Sequence, residues 1–188
     1  MPRYLALLRG INVGGRNKVA MADLRLIATD LGYSDVATYI QSGNLLFSSD
    51  GYNAAEHARA LERAIAERLA VRPAVVVISA AELARTIDDN PFPAETNDRC
   101  LHAVFRETEP SAAELARIAE TAGHVRAKGS TDDAVVVGRT LFLHTPDGFG
   151  RSELAARLVS GSAGAAPAGT ARNWATVTRL MAMLMDAG

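Results

Sequence analysis

Strand-like and helix-like segments alternate in a fixed order along the first 80 residues, and this order constrains the fold more than any other feature of the sequence. Short runs of apolar and β-branched residues bounded by Gly, Asn or Pro indicate strands, whereas apolar residues three and four positions apart indicate helices. These patterns predict strands at 4–10, 36–40, 45–47 and 74–78, and helices at 21–31 and 53–69. The order β-α-β-β-α-β is typical of the ferredoxin-like, split βαβ arrangement, so we expect an α+β fold.

Several helix starts are marked by a Ser or Asn that is followed three residues later by Glu, which is the pattern of a capping box. Such pairs occur at Asn53 and Glu56, Ser79 and Glu82, and Ser111 and Glu114. In each pair the side-chain oxygen of the first residue can accept a hydrogen bond from the backbone N–H of the Glu. We therefore predict helices that begin just after residues 53, 79 and 111.

The second half of the chain repeats this alternation less regularly, and no repeat is visible at the level of individual residues. Strands are predicted at 101–105, 124–127, 134–137 and 141–144, and helices at 111–122, from about 150 and from about 174. The order is roughly β-α-β-β-β-α. A breaker-rich loop at 88–97 is the candidate boundary between the halves, and a small-residue loop is predicted at 161–169. We expect two ferredoxin-like halves packed together, comprising residues 1–80 and 81–188.

Charge and cysteine content exclude several classes of protein. The formal net charge of the 188-residue chain is -1, which is atypical of a general polyanion binder because non-specific affinity for nucleic acid grows with the number of phosphates neutralised. The single cysteine, Cys100, rules out an internal disulfide and a Cys-rich zinc site. No segment approaches the roughly 20 apolar residues of a membrane helix, and no export signal is visible. We therefore expect a cytoplasmic protein that does not bind membranes.

The segment Arg9-Gly10-Ile11-Asn12-Val13-Gly14-Gly15-Arg16-Asn17-Lys18 follows the first predicted strand. Glycines after a strand can present backbone N–H groups to an anion, and Arg and Lys side chains can complete the charge. The segment lacks the Gly-Lys-Ser/Thr ending of a P-loop and the glycine spacing of a dinucleotide fingerprint. The alternative interpretation is a turn that uses glycine for its backbone freedom and is flanked by solvated charges.

Three further segments combine Gly, Asn, Ser and Arg, and each has a functional and an architectural interpretation. They are Tyr39-Ile40-Gln41-Ser42-Gly43-Asn44, Gly148-Phe149-Gly150-Arg151-Ser152 and Thr170-Ala171-Arg172-Asn173-Trp174. The first segment could hydrogen-bond a ligand or form an ordinary hairpin turn. The second would suit an anion at a helix N-terminus or serve as a capped helix start. In the third, Thr170 or Asn173 is expected to cap a helix, and Trp174 to pack into the core.

The sequence contains no recognisable catalytic or metal-binding pattern. The histidines do not occur at metal-ligand spacing, so we predict no metal site and no cofactor. They are His57, His102, His124 and His144. Cys100 is interpreted as a small buried hydrophobic residue. There is no Gly-x-Ser-x-Gly elbow, and no carboxylate pair is placed by its spacing for acid–base work, so the sequence leaves open whether the protein is an enzyme.

Five segments in order resemble a family of bacterial proteins known as domain of unknown function 1697. They are residues 7–15, residues 39–44, Asn90-Pro91-Phe92-Pro93, Gly150-Arg151-Ser152 and residues 170–174. The resemblance spans about residues 4–183 and implies a cytoplasmic α+β protein with ferredoxin-like halves, but no activity. This chain departs from the usual pattern at Glu153, where many members carry lysine, and at Ala175, where asparagine is usual. Glu153 adds a negative charge beside Arg151, which weakens the case for an anion site there.

We hypothesise that the polar segments converge on one cleft that binds an anionic, phosphate-bearing small molecule or a nucleic-acid fragment. The proposed lining residues are Arg9, Asn12, Gly14, Lys18, Gln41, Ser42, Asn44, Arg151, Ser152, Arg172 and Asn173. Nucleic-acid binding is expected to be weak and steeply salt-dependent, although residues 3–25 hold five basic side chains and one acidic. The alternatives are a protein–protein interaction module without a small ligand and an enzyme acting on a phosphorylated substrate. The sequence does not set the oligomeric state.

Overall fold

A computed structural model describes residues 1–51, 53–159 and 169–186. The chain divides into two compact units, which are Met1–Ala84 together with the chain from Leu180 onward, and Arg85–Arg179. Each unit contains one four-stranded antiparallel sheet with helices, so the mixed α+β class and the organisation into two sheet-and-helix halves are confirmed. Among the described residues, no helix has the length and apolar character needed to cross a bilayer.

Unit 1 has the element order that its sequence pattern predicts. Its elements are β1 (Arg3–Leu8), α1 (Met21–Asp30), β2 (Ser34–Tyr39), β3 (Asn44–Ser48), α2 (Ala54–Leu69) and β4 (Val75–Ser79), followed by α3 (Ala80–Asp88). The strands lie in the order β2-β3-β1-β4, and every neighbouring pair is antiparallel. The predicted capping boxes at the starts of α2 and α3 are present, since Glu56 N donates to Asn53 Oδ1 and Glu82 N donates to Ser79 Oγ.

Strands β1, β3 and β4 of the sheet in unit 1 are largely buried on both faces. One face packs against α1 and α2 through alternate residues of the strands, with Leu8, Leu45 and Phe47 in the cluster. Leu5 and Leu46 point to the other face and are also completely buried. Such continuous apolar runs are expected for strands that are covered on both sides. Each buried Leu or Phe contributes about 1.5–3 kcal/mol to the stability of the fold. No exposed part of β1 or β3 is left for polar chemistry.

Unit 2 contains a second sheet with an equivalent strand order. Its elements are β5 (Leu101–Arg106), α4 (Ala112–Ala127), β6 (Asp133–Val137), β7 (Thr140–His144), a 3-10 turn (Phe149–Arg151), α5 (Glu153–Val159), β8 (Gly169–Asn173) and α6 (Trp174–Asp186), which ends in unit 1. The strands lie in the order β6-β7-β5-β8, again all antiparallel. Helices α4 and α5 pack on the face that carries Val104, Leu141 and Leu143.

In the second half one predicted strand is wrong and one observed strand was not predicted. Residues 124–127 are the last turn of α4 and not a strand, because Ile118, Ala122 and Val125 continue the helical spacing and are buried on one face. Residues 169–173 form strand β8, which the sequence patterns did not predict. The observed order is therefore β-α-β-β-α-β followed by α6, and not β-α-β-β-β-α. The predicted small-residue loop lies outside the described residues apart from Gly169, which begins β8.

A charged pair links the end of β5 to the start of α4. Arg106 is 4% exposed, and its Nη2 donates to Glu114 Oε1 at 2.8 Å. Glu114 Oε2 also accepts hydrogen bonds from the N–H and the hydroxyl of Ser111, which completes the predicted capping box. The hydrogen bond from the Ser111 backbone and the one from Arg106 lower the pKa of Glu114 to about 2. The carboxylate therefore stabilises the fold only in its charged form.

Replacing Glu114 by Gln is expected to lower the free energy of unfolding at neutral pH. Because the folded-state pKa lies below the ordinary value of 4.5, the stabilisation is complete above about pH 4.5 and is lost as the pH falls toward about 2. In urea unfolding, the difference in the free energy of unfolding between the native chain and E114Q should become smaller as the pH falls over that range. Glu120→Gln, an exposed change on the same helix, is the control. A gap that stays constant with pH would contradict the prediction.

Candidate functional site

The connection between β1 and α1 folds into a small hairpin of its own. Arg16 N donates to Val13 O at 3.0 Å, and Asn12 N donates to Asn17 O at 3.1 Å. Gly14 and Gly15, the two central residues of the turn, have φ angles of 56° and 75°. Two successive positive φ angles are characteristic of a type I′ turn, whose twist suits a two-residue hairpin. The glycines of this segment therefore shape a protruding turn.

The side chain of Asn12 joins this hairpin to the turn between β2 and β3. Its Nδ2 donates to Val19 O and to Gln41 O, both at 2.9 Å, and its Oδ1 accepts from Val19 N at 2.9 Å. Asn17 Nδ2 donates to Gly10 O at 2.9 Å and closes the base of the hairpin. These bonds use both amide hydrogens of Asn12 and one lone pair of its oxygen, so the predicted ligand-binding amide of Asn12 is an architectural group.

The turn between β2 and β3 is held by Asn44. Its side chain is fully buried, and Nδ2 donates to Tyr39 O at 2.9 Å and to Ser42 Oγ at 3.0 Å. Gly43 has a φ of 78°, and a Cβ at this position would lie 2.7 Å from Ile11 Cδ1 and 2.8 Å from Leu8 Cβ. The turn thus packs directly on the start of the glycine segment. The hairpin-turn interpretation of this segment, one of the two that the sequence allows, therefore accounts for Ser42, Gly43 and Asn44.

The cationic side chains of this region surround the framework that these bonds build. Arg9 is half-buried, and its backbone N–H donates to Ala74 O at 2.9 Å, just beyond the ladder between β1 and β4. Arg16 and Lys18 are exposed, and in the described part of the chain neither makes an ion pair. Gln41 is also exposed. Unit 1 therefore brings Arg9, Lys18 and Gln41 of the predicted set together.

The predicted residues Arg151 and Ser152 lie in unit 2, before a helix of seven residues. Ser152 Oγ donates to Asp132 Oδ2 at 2.7 Å and accepts from Ala155 N at 2.9 Å, so this buried hydroxyl caps α5. Arg151 Nε donates to Asp147 O at 2.8 Å. Glu153 does not pair with Arg151; it accepts hydrogen bonds from Lys128 and Arg157, which lower its pKa. The architectural interpretation accounts for Ser152.

The predicted residues Arg172 and Asn173 lie at the end of β8. Arg172 is 8% exposed, its Nη1 donates to Thr170 Oγ1 at 2.8 Å and to Ala171 O at 2.9 Å, and burial lowers its pKa to about 10. Asn173 Oδ1 accepts from Thr176 N at 2.9 Å and caps α6, as predicted. Trp174 is buried with its ring centroid 6.1 Å from that of Phe142, which confirms its predicted place in the core.

Comparison with known proteins identifies the family. A family model described as "Protein of unknown function (DUF1697)" matches residues 1–142. The chain belongs to the DUF1697 family. The predicted resemblance is thereby confirmed. No curated protein gives a significant match. A solved structure of a conserved bacterial protein from Streptococcus pneumoniae is similar, with 24% sequence identity, a TM-score of 0.73, and coverage of 97% of this chain and 98% of that one. At this identity the likeness shows the fold.

Three of the four histidines of this DUF1697 protein pack against or pair with other side chains, whereas His124 is exposed. His57 Nδ1 lies 2.9 Å from Tyr33 Oη inside an aromatic cluster, and burial lowers the pKa of His102, which stacks on Phe149 at 4.0 Å, to about 4. His144, at the end of β7, has its Nε2 2.7 Å from Glu95 Oε2, and its ring stacks on that of Phe92 at 5.2 Å. In residues 1–51, 53–159 and 169–186, no group of three His, Cys, Asp or Glu side chains is arranged to hold a metal ion.

Two features of the site are absent from the predicted residue set. Arg16 lies in the glycine segment and directly follows Gly14 and Gly15, the two central residues of the protruding turn. The dependence of Gly43 on close packing by Ile11 and Leu8 is a long-range contact that no local pattern encodes. A sequence signal for Arg16 does exist, because the pair Gly14-Gly15 between two short runs is a type I′ hairpin signature.

Gly43→Ala is expected to destabilise unit 1 more than Gly10→Ala. Both glycines have positive φ, which costs an L-residue about 1–2 kcal/mol. The added methyl group has free space at Gly10 but collides with Ile11 and Leu8 at Gly43, where overpacking adds about 1–3 kcal/mol. Urea unfolding of the two variants measures the difference. Equal losses of unfolding free energy in the two variants would contradict the prediction and would mean that the turn can move away from the glycine segment.

Asn12→Asp is expected to loosen the hairpin more than Asn17→Asp. Both positions have positive φ, so the backbone preference is matched. Aspartate at 12 would face Val19 O and Gln41 O with carboxylate oxygens, whereas at 17 only the bond to Gly10 O is affected. The Asn12 variant should lower the free energy of opening the hairpin by about 1–3 kcal/mol. Amide hydrogen exchange of residues 9–20 reports it, and faster exchange in the Asn17 variant would argue against the bridging role of Asn12.

Proposed function

We propose that this DUF1697 protein binds a phosphate-bearing anion at the protruding connection between β1 and α1. The anion is contacted by Arg16 and Lys18, with Arg9 and Gln41 at the base of the connection. The open space around the backbone of Gly14 and Gly15 favours this, because nothing lies within 4 Å of the position that a Cβ would occupy. A phosphate oxygen can therefore approach the backbone N–H groups while the cationic side chains supply charge.

A comparison between the two units carries this proposal. Both units use the order β-α-β-β-α-β, and the first connection spans residues 9–20 in unit 1 but only 107–111 in unit 2. A five-residue connection is therefore sufficient to join the first strand to the first helix. The longer connection in unit 1 is not required by the chain path, so its bonded and exposed hairpin supports a role in binding.

The charge of the two connections also differs. Residues 9–20 carry Arg9, Arg16 and Lys18 and no acidic side chain, whereas residues 107–111 carry Glu107 and Glu109 and no basic one. Since the same fold accommodates both, the fold does not impose the positive charge in unit 1. A local cationic cluster on a chain of net charge -1 suits recognition of one anionic group rather than general attachment to polyanions.

We further infer that each unit is ferredoxin-like and that the protein works in the cytoplasm. The element order β-α-β-β-α-β and the antiparallel strand orders β2-β3-β1-β4 and β6-β7-β5-β8 support the first inference. The single cysteine, which is unpaired and buried, agrees with a reducing compartment. The family and the similar solved structure carry no statement of ligand, so the binding proposal rests on the geometry of unit 1.

Replacing Arg16 and Lys18 together by Gln is expected to weaken phosphate binding at least about tenfold, because each charge-assisted hydrogen bond to an anion is among the stronger polar contacts. Thermal shift and calorimetry against inorganic phosphate, nucleoside mono- and diphosphates and sugar phosphates measure this. Both side chains are exposed, so the melting temperature without ligand should be unchanged. A native protein that binds none of these compounds, or a stable double variant that binds as well, would refute the proposal.

A further inference from the structure

A groove of about 680 Å³ lies between the C-terminal half of α2 and the segment that leads into β4. It is lined by Arg59, Glu62, Arg63, Ala66, Glu67, Arg72, Pro73 and Ala74. From the sequence, the mixed charges of α2 fit a solvated helix face. The exposure of Arg59, Arg63 and Glu67 agrees with this. Residues 72–74 form an opposite wall, so that the arginines also line a groove.

This groove adjoins the base of the protruding connection. Ala74 lines the groove, and its carbonyl oxygen accepts the hydrogen bond from Arg9 N at 2.9 Å. Leu8 and Val75 form the last pair of the ladder between β1 and β4, so Arg9 and Ala74 leave the sheet side by side. One continuous edge of unit 1 therefore carries both the protruding connection and the groove.

Positive charge predominates in the groove. Arg59 and Arg63 are one helical turn apart and, like Arg72, are exposed; within the described residues none of the three takes part in an ion pair. The Glu62 carboxylate has one oxygen already engaged, because its Oε1 accepts a hydrogen bond from the backbone N–H of Val75 at 2.8 Å. Glu67 is the other carboxylate of the lining. Arginines without carboxylate partners in a concave site suit phosphate oxygens.

Apolar side chains stand beside the cations of the connection between β1 and α1, where Val13 is bridged to Arg16. Val13 at the hairpin is 67% exposed and Ile40 in the neighbouring turn is 50% exposed. Ile40 also has a φ of 49°, a conformation that is unfavourable for a β-branched residue and is found where the surroundings enforce it. Exposed apolar groups at this cationic connection match a ligand that has both phosphates and apolar faces.

We infer that the ligand of this edge is a single-stranded oligonucleotide, with one phosphate at the connection and the following phosphates along the arginine groove. This inference rests on the proposed function and extends it from one phosphate to several. A single nucleotide would occupy the connection alone and leave Arg59, Arg63 and Arg72 without a partner. The near-neutral charge of the whole chain limits contact to this edge, so the bound strand is short.

Fluorescence anisotropy with labelled single strands of two to ten nucleotides, together with competition by mononucleotide and inorganic phosphate, tests the inference. The native protein should bind a six-nucleotide strand at least about tenfold more tightly than a mononucleotide. The variant Arg59→Gln/Arg63→Gln should lose that advantage but keep mononucleotide binding. Its dependence of log affinity on log salt should be shallower by about 1.4, which corresponds to about 0.7 for each of two phosphates.

The control is Arg99→Gln/Arg179→Gln, which removes two exposed cations from unit 2 and should leave both affinity and salt slope unchanged. Affinity independent of strand length in the native protein would overturn the oligonucleotide inference and leave the phosphate proposal intact. Retention of the length advantage and of the full salt slope in the groove variant would also overturn it. Failure of the native protein to bind any phosphate compound would instead refute the proposed function itself.

Discussion

The burial of both faces of β1 and β3 decides where unit 1 can carry chemistry. Leu5, Leu7 and Leu8 of β1 and Leu45 to Phe47 of β3 are almost completely inaccessible, so the strands contribute the core and nothing else. The backbone groups of these strands are paired in the ladders. Polar function is thereby confined to the connections at the strand ends, where β1, β3 and β4 present the glycine segment, the turn at 40–43 and the entrance to the groove.

Within those connections, the amide of Asn12 sets the geometry. Its three hydrogen bonds reach Val19 and Gln41 and hold two separate chain segments in one arrangement. A hairpin with several residues at positive φ has little regular structure of its own, and an unanchored loop of this length would sample many conformations. The bonds of Asn12, Asn17 and Asn44 convert it into a surface that is fixed before any ligand arrives, and a fixed site loses less entropy on binding.

The sequence predicted those parts of the fold that depend on local patterns. All of the capping boxes lie at helix starts, because a Ser or Asn and a Glu three residues apart interact within one turn. The strand β8 was missed because its five residues are recognised only by their pairing with β5, where Gly169 packs against Val104 and Phe105. The predicted strand at 124–127 was wrong because Val125 continues the helical spacing of Ile118 and Ala122, which lie further back in the chain. Of the site, the glycine segment and the adjoining turn were found, but the roles of Asn12, Ser42 and Asn44 as bridges depend on contacts across the chain. The arginine groove required the position of residues 72–74 relative to α2, which charge pattern alone does not encode.

The difference in length between the two first connections has an evolutionary consequence. Closing a connection of twelve residues instead of five costs roughly 0.8 kcal/mol in chain entropy, since each doubling of loop length costs about 0.6 kcal/mol. That is small beside a typical domain stability of about 5–15 kcal/mol. The strand-to-helix junction is therefore a place where insertions are tolerated, and the same scaffold could acquire, exchange or discard a recognition loop without a new core. Of the two units in this chain, unit 2 has the short junction and unit 1 the long one.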